Sequence, residues 1–256
     1  MFKQAIVRPP GPGFAQGLTT SELGPPTYEL ALEQHAAYCA ALEACGLSLI
    51  RLEADERYPD STFVEDTAIL AERCAIATRP GAPSRQGEVA GVRAALAGLY
   101  SSIHSIVAPG TVDGGDICQA GECFFIGLTA RTNPAGAEQL AAILAAHGYA
   151  ATLVDIRARA DLLHLKSGLA WLGDGRMLLV EALADHPALA DVEHICVNAD
   201  EAYAANCVRV NDHVLVPAGY PGVETTLRAL GYPTIALDMS EFQKMDGGLS
   251  CLSLRF

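Results

Sequence analysis

The sequence predicts an α/β fold: a five-bladed propeller of pseudo-fivefold repeated ββαβ units around a central channel. Three observations predict it. Short strand-like apolar runs alternate with helical patterns along the chain, the order expected of an α/β protein. Five polar or reactive clusters interrupt that order, at Glu65-Asp66, Gly115-Asp116, Lys166-Ser167-Gly168, Ala205-Asn206-Cys207 and Gly248-Leu249-Ser250-Cys251. They recur at intervals of roughly 40–50 residues, the range of propellers and repeat arrays. Each begins or interrupts a hairpin that is followed by a helix and a further strand, so a closed fan turns all five toward one channel. No linker divides the chain, and residues 1–256 are expected to form a single catalytic domain.

In order, Phe2–Val7 reads as a strand and Arg8–Gly17, rich in Pro and Gly, as a loop. Thr27–Cys45 is a helix, because Ala31, His35, Tyr38, Leu42 and Cys45 recur at spacings of four and three and Gly46 stops it. His35 lies on that face and reads as a packed histidine, not a ligand. Leu47–Leu52 is a strand and Ala54–Ser61 a polar loop. Phe63–Leu70 (FVEDTAIL) reads as a strand interrupted by Glu65 and Asp66. Buried carboxylates are costly unless paired. No Lys or Arg adjoins these two, so the expected counter-cation is a ligand; the plainer reading is two charges facing water at a strand end.

Cys74–Thr78 is a strand, followed by a loop holding Arg79 and Arg85 and a helix to about Leu96. After the strand Ile103–Ala108 comes APGTVDGGDICQAG, in which Asp113 and Asp116 flank Gly114-Gly115. Asp-Gly ordinarily marks a hairpin turn, but within a strand-patterned region glycine marks a bulge or a close approach. Cys123–Leu128 is a strand, Arg131 sits in a loop, and a helix runs from Pro134 to His147 with Asn133 as N-cap and Gly148 past its end. Ala151–Val154 is a strand; Leu169–Leu172 and Arg176–Val180 form a hairpin around Gly173-Asp174-Gly175. A short helix near Pro187 precedes the strand Glu193–Val197. Tyr203–Val210 and His213–Pro217 form a hairpin, Val223–Leu230 a helix, Thr234–Leu237 a strand, and Ser240 to Gln243 a capping box. A closing strand carries Cys251.

Composition narrows the partners. The 17 basic and 30 acidic residues leave a net charge of −13, which disfavours nucleic acid and anionic membranes and suits a small cationic partner. The N-terminus MFKQAIVRPPGPG lacks the apolar run and cleavage site of a signal peptide. No stretch approaches the ~18 apolar residues of a membrane span. Eight cysteines without an export signal point to reduced thiols in a cytoplasm. There is no CxxC, and no histidine cluster joins Cys118 and Cys123, so no structural metal is expected.

Cys251 alone reads as a small buried apolar residue. With His164, Asp113, Asp60, Glu65 and Asp66 it makes chemical sense. A guanidinium is matched by forked hydrogen bonds to carboxylates. Its central carbon is a poor electrophile, so a thiolate must attack while an acid protonates the departing amine. His164 suits that acid and then the base acting on water, while Arg85 and Arg131 suit an α-carboxylate. The surrounding carboxylates disfavour a free thiolate and a bound cation favours it, so Cys251 is expected to lose its proton mainly when substrate arrives.

At these residues the chain resembles the dimethylarginine dimethylaminohydrolases, of the guanidino-modifying (pentein) superfamily of five-bladed α/β propellers. The matching runs are GLTTSELG, RYPDSTFVED, RPGAPSRQGE, APGTVDGGD, IGLTARTN, HLKSGLAWL, YAANC, VPAGYP and KMDGGLSCLSLRF, spanning essentially the whole chain. The resemblance implies Cys251 as nucleophile, His164 as general acid/base and Asp113 orienting His164 and touching the guanidinium. It implies Asp66 gripping the guanidinium with Asp60 and Glu65 beside it, Arg85 and Arg131 at the amino-acid end, and Leu18 and Met245 contributing from loops. The implied reaction turns Nω-methylated arginines into citrulline and methylamine or dimethylamine through a covalent thiouronium, without cofactor. Several bacterial members read VEAGD where this chain reads VDGGD, so Asp113 reaches one methylene less than Glu.

An arginine deiminase shares this logic but usually carries an inserted helical domain for which the chain has no room. An amidinotransferase would need an acceptor site and is usually longer. A non-catalytic arginine sensor would need neither Cys251 nor His164, and a papain-like peptidase would carry a CGSCW-type signature. Oligomeric state is open between monomer and homodimer, and Arg8–Thr20 is the candidate lid.

Overall fold

A computed structural model describes residues 1–256. The first unit holds β1 (Gln4–Val7), α1 (Tyr28–Ala44) and β2 (Ser48–Arg51). The second holds β3 (Ala68–Ala71), β4 (Cys74–Ala77), α2 (Val89–Leu96) and β5 (Ile103–Ser105). The third holds β6 (Ile117–Ala120), β7 (Cys123–Leu128), α3 (Pro134–Ala146) and β8 (Ala150–Asp155). The fourth holds β9 (Leu169–Gly173), β10 (Arg176–Val180), α4 (Glu181–Ala184) and β11 (Glu193–Val197). The fifth holds β12 (Val208–Val210), β13 (His213–Pro217), α5 (Pro221–Ala229) and β14 (Thr234–Leu237), after which come α6 (Ser240–Gln243) and β15 (Ser253–Arg255).

These strands make five separate three-stranded sheets, the blades of an α/β propeller. In units two to five the first two strands are an antiparallel hairpin and the third runs parallel to the second. A parallel neighbour needs a crossover, and one helix per unit supplies it. In the first blade β15 takes the missing place, antiparallel to β1 with Ala5 opposite Arg255. The ring is therefore sewn shut by the last strand.

Local chemistry explains most elements. Asn133 caps α3 as expected, its side chain accepting from the Gly136 N–H at 2.8 Å, with Pro134 in the first turn. Asp174 takes a positive φ of 54° in the turn between β9 and β10, a conformation Asp tolerates better than most residues. The expected apolar face of α1 is buried, with Tyr38 fully enclosed and its hydroxyl 2.6 Å from Ser253 Oγ on β15. His35 is buried on the same face, and burial pushes its imidazole down to about 4, the signature of a packed neutral histidine. Phe14, Phe63 and Phe242 form a tilted aromatic cluster with centroids 5.5–6.3 Å apart. It anchors the N-terminal loop beside the axis; burying each ring contributes about 1.5–3 kcal/mol.

Three expected strands differ. Phe63–Leu70, Tyr203–Val210 and the strand carrying Cys251 each begin as a 3-10 turn: Val64–Thr67, Ala199–Ala205 and Ser250–Leu252. The other two blades have equivalents at Gly114–Asp116 and Leu165–Ser167. A 3-10 turn keeps its hydrogen bonds local, so it lets the chain approach the crowded axis before it pairs in a sheet. Ser240 is also not an N-cap: Met239 holds that position without a side-chain cap bond, and Ser240 Oγ accepts from Gln34 Nε2.

Residues one or two positions apart in three of these turns line different cavities. Glu65, Lys166 and Ser250 line a cavity of about 460 Å³ at one end. Asp66, His164 and Cys251 line a narrow cleft of about 30 Å³ at the other. At the axis there is no room for some side chains. A Cβ on Gly115 would stand 2.8 Å from the His164 ring, and one on Gly114 would collide with the Glu65 carbonyl. The glycines there serve close approach.

Candidate active site

The near cleft gathers residues from three of the five turns and from the loops around them. It is lined by Leu18, Asp60, Asp66, Arg85, Arg131, His164, Met245 and Cys251, together with Phe63, Leu163, Asp246 and Gly247. Eight of the ten residues singled out in the sequence therefore meet in one hollow. The other two do not line it. Asp113 lies behind His164 with no exposed surface. The Glu65 carboxylate points into the other cavity.

His164 and Asp113 form a pair, with Nε2 3.0 Å from Oδ2. Asp113 Oδ1 also accepts from the Gly81 N–H at 2.7 Å, and the Arg131 guanidinium stands 4.0 Å away. Burial alone would push the imidazole down, but Asp66, Asp116 and Asp113 carry it up to about 9. His164 is therefore an imidazolium at neutral pH. Cys251 has the opposite environment: burial, then the charges of Glu65 and Asp66, push its thiol up to about 12, against the Gly248 N–H and Lys166. The resting pair is a thiol and an imidazolium.

The two acidic residues that lacked adjacent cations find them at a distance, which corrects the expectation that a ligand supplies the charge. Asp66 is bound by Arg85 Nη1 at 2.5 Å and by the Gly115 N–H at 2.8 Å. Burial would raise its carboxyl, but Arg85 and His164 hold it near 2. Glu65 binds Lys166 Nζ at 2.5 Å and Ser250 Oγ at 2.8 Å. Asp60 has no such partner. Its oxygens accept the Leu18 N–H at 3.1 and 3.2 Å, and burial raises it despite Arg85.

The two arginines are not equivalent. Arg85 is buried and spends its donors on Asp66, Glu88 and the carbonyls of Asp60 and Phe63. Arg131 keeps one-fifth of its side chain exposed and is the freer cation at the mouth. Met245 is buried and packs beside Gly17 and Asp60. The N-terminal loop straps over this end: the Thr20 N–H and hydroxyl both donate to Asp246 Oδ2, and Thr19 Oγ1 donates to the Lys244 carbonyl.

Some supporting residues escaped the sequence reading as site residues. Asp116 accepts the Leu165 N–H at 3.0 Å and Thr129 Oγ1 at 2.7 Å, which fixes the backbone next to His164. Its place in the repeat was the available signal. Glu88 buttresses Arg85 from three residues away, where no local pattern marks it. Asp66, Asp113 and His164 also bring donor atoms within 4.8 Å of one another, a spacing compatible with a metal ion. Each already has a protein partner, through Arg85, Gly115, Gly81 or the His164–Asp113 contact itself, and no metal role is derived for them.

No protein-family model matches the chain. Individual relatives do. It is 46% identical to the N(G),N(G)-dimethylarginine dimethylaminohydrolase of Pseudomonas aeruginosa, over the full length of both chains. It is 37% identical to the enzyme of the same name from Streptomyces coelicolor, covering 99% of this chain and 96% of that one. Among solved structures, a cysteine-to-serine mutant of the Pseudomonas aeruginosa enzyme complexed with citrulline superposes with a TM-score of 0.97 at 46% identity, over all of both chains. The chain belongs to the dimethylarginine dimethylaminohydrolase family.

Proposed function

We propose that this protein hydrolyses Nω,Nω-dimethyl-L-arginine and Nω-methyl-L-arginine to L-citrulline and dimethylamine or methylamine, with Cys251 as nucleophile. The carrying observation is that a thiol, an imidazolium and two buried carboxylates, Asp60 and Asp66, line one cleft. The carboxylates receive the guanidinium, and Arg131, with Arg85 deeper in, attracts the α-carboxylate. Leu18 and Met245 wall the entrance.

The electrostatics order the steps. A guanidinium arriving beside Cys251 offsets the negative charges that hold the thiol protonated, and the thiol proton leaves to solvent. Sulfur then bonds to the guanidinium carbon as a C=N electron pair moves onto nitrogen. The His164 imidazolium gives its proton to the methylated nitrogen, the C–N bond breaks, and the amine departs. The thiouronium left on Cys251 is attacked by water, whose proton passes to the now neutral imidazole. The C–S bond breaks, citrulline leaves, and the thiolate regains a proton. Asp113 holds the imidazole in place throughout. Water is the only second reactant.

Every residue of this constellation comes from one chain, so the reading holds for a monomer and a homodimer alike, and residues 1–256 act as one catalytic domain. All eight cysteines are unpaired, which fits a reducing cytoplasm. No helix is long and apolar enough to cross a membrane. The test is citrulline release from dimethylarginine, monomethylarginine and arginine, with Cys251→Ser alongside. Methylated substrates should turn over and the variant should abolish it. A preference for plain arginine would make this a deiminase, and tight binding without citrulline would make it a sensor.

A further inference from the structure

Behind Cys251 lies a partly buried ion pair whose members do not line the cleft. Glu65, 5% exposed, binds Lys166 through one oxygen and the Ser250 hydroxyl through the other. Asn206 ties the same cluster together: its Nδ2 donates to the Lys166 carbonyl and to Ser250 Oγ, and its Oδ1 accepts the Ser250 N–H. Glu65 adjoins Asp66, Lys166 lies two residues from His164, and Ser250 adjoins Cys251. Each far-side residue is thus borne by the same short turn as a cleft residue. The pair partitions the channel, with the cavity of about 460 Å³ on its far side.

We propose that the Glu65–Lys166 pair sets the charge state of Cys251 from behind, as two positioning residues of opposite electrostatic sign. A charge inside a protein acts on its neighbour more strongly than the same charge in bulk water. Here Glu65 opposes the thiolate and Lys166 favours it. The two act in opposite directions, Glu65 more strongly than Lys166, alongside the groups of the cleft side. That side comprises Asp66 on the Glu65 turn, His164 on the Lys166 turn, Asp60 and Arg85 from the N-terminal half, Arg131, and Asp246, to which the strap is bonded. Tyr203 faces Cys251 from the fifth unit, hydrogen-bonded to the Gly247 carbonyl. Arg255 adds a second, longer contact to Glu65 at 3.6 Å, so Glu65 keeps a cation when Lys166 is removed.

The prediction is unusual for a salt bridge: breaking it from its two ends moves the thiol in opposite directions. Glu65→Gln keeps the shape and its bond to Ser250 but deletes the opposing charge. Lys166→Met leaves that charge less compensated. The readout is the pH profile of Cys251 alkylation by iodoacetamide in the full chain without substrate. The inference rests on Cys251 being the reactive thiol and not on the identity of the substrate, so its failure is distinguishable from that of the assigned reaction. Glu65→Gln should move the profile about one unit toward lower pH, near tenfold faster alkylation on its rising limb, and Lys166→Met a smaller amount the other way. The double variant should fall between the two single variants. Lys166→Gln replaces the Met variant if that chain does not fold. An unmoved profile in Glu65→Gln, or shifts of the same sign in both single variants, overturns the proposal, since a structural role alone would disturb the site in one direction.

Discussion

The His164 imidazole and the Asp113 carboxylate meet at 3.0 Å, and Asp113 has no exposed surface. A fully buried carboxylate in that position fixes the ring and favours its charged form. Asp113→Asn keeps the volume and an acceptor for the Gly81 N–H but removes the charge. Turnover should fall about 10²–10⁴-fold, the usual contribution of positioned acid–base catalysis. The alkaline limb of the rate profile should move toward lower pH. Steady-state rates across pH check both.

Stability should depend on pH through three buried groups. His164 has its folded value raised from 6.5 to about 9, so its contribution is complete below about 6.5 and disappears as pH climbs through 9. Burial raises Glu88 from 4.5 to about 7, which likewise favours the fold at low pH and fades as pH rises through 7. Asp66 is lowered from 3.8 to about 2, so its contribution is present above 3.8 and is lost as pH falls through 2. Urea midpoints should therefore peak on the acid side of neutrality and decline toward alkaline pH. His164→Gln should remove the later part of that decline.

The two arginines should respond differently. Arg131→Ala removes a partly exposed cation at the mouth, and KM should rise at least about tenfold with a stable fold, about 1.4 kcal/mol of lost binding. Arg85→Ala strands Asp66 and Glu88 in the interior. Breaking a buried pair from one end costs about 3–5 kcal/mol, so this variant should lose most of its thermal stability. Calorimetry and kinetics on the two proteins separate binding from architecture.

Gly115→Ala tests the crowding at the axis. The added methyl would sit 2.8 Å from His164, so the ring or the turn must shift. A cost of about 1–3 kcal/mol is expected from overpacking, with activity falling further than stability because the displaced group is the acid. A fully active variant would show that the turn relaxes freely.

The repeat was legible because each blade announces itself with a polar break between apolar runs. The meeting of Cys251, His164 and the carboxylates followed from that geometry and from the family resemblance. The turns themselves were not legible. Val64 and Thr67 are good strand residues, and nothing local says that Glu65 and Asp66 bend into a 3-10 turn before the sheet begins. The counter-cations were hidden for a different reason. Arg85 is 19 residues from Asp66, and Lys166 is 101 from Glu65, so no reading of neighbours along the chain could pair them. The division of each such turn between the cleft and the far cavity exists only once the ring has closed.

That closure has a consequence for how activity is lost. The strand that completes the first blade starts two residues after Cys251, and its seam with β1 is only three residue pairs long. Fraying there would unseat the nucleophile while four blades stay intact. The enzyme would then fall silent before it unfolds, and loss of thiol reactivity would be an early gauge of the ring coming undone.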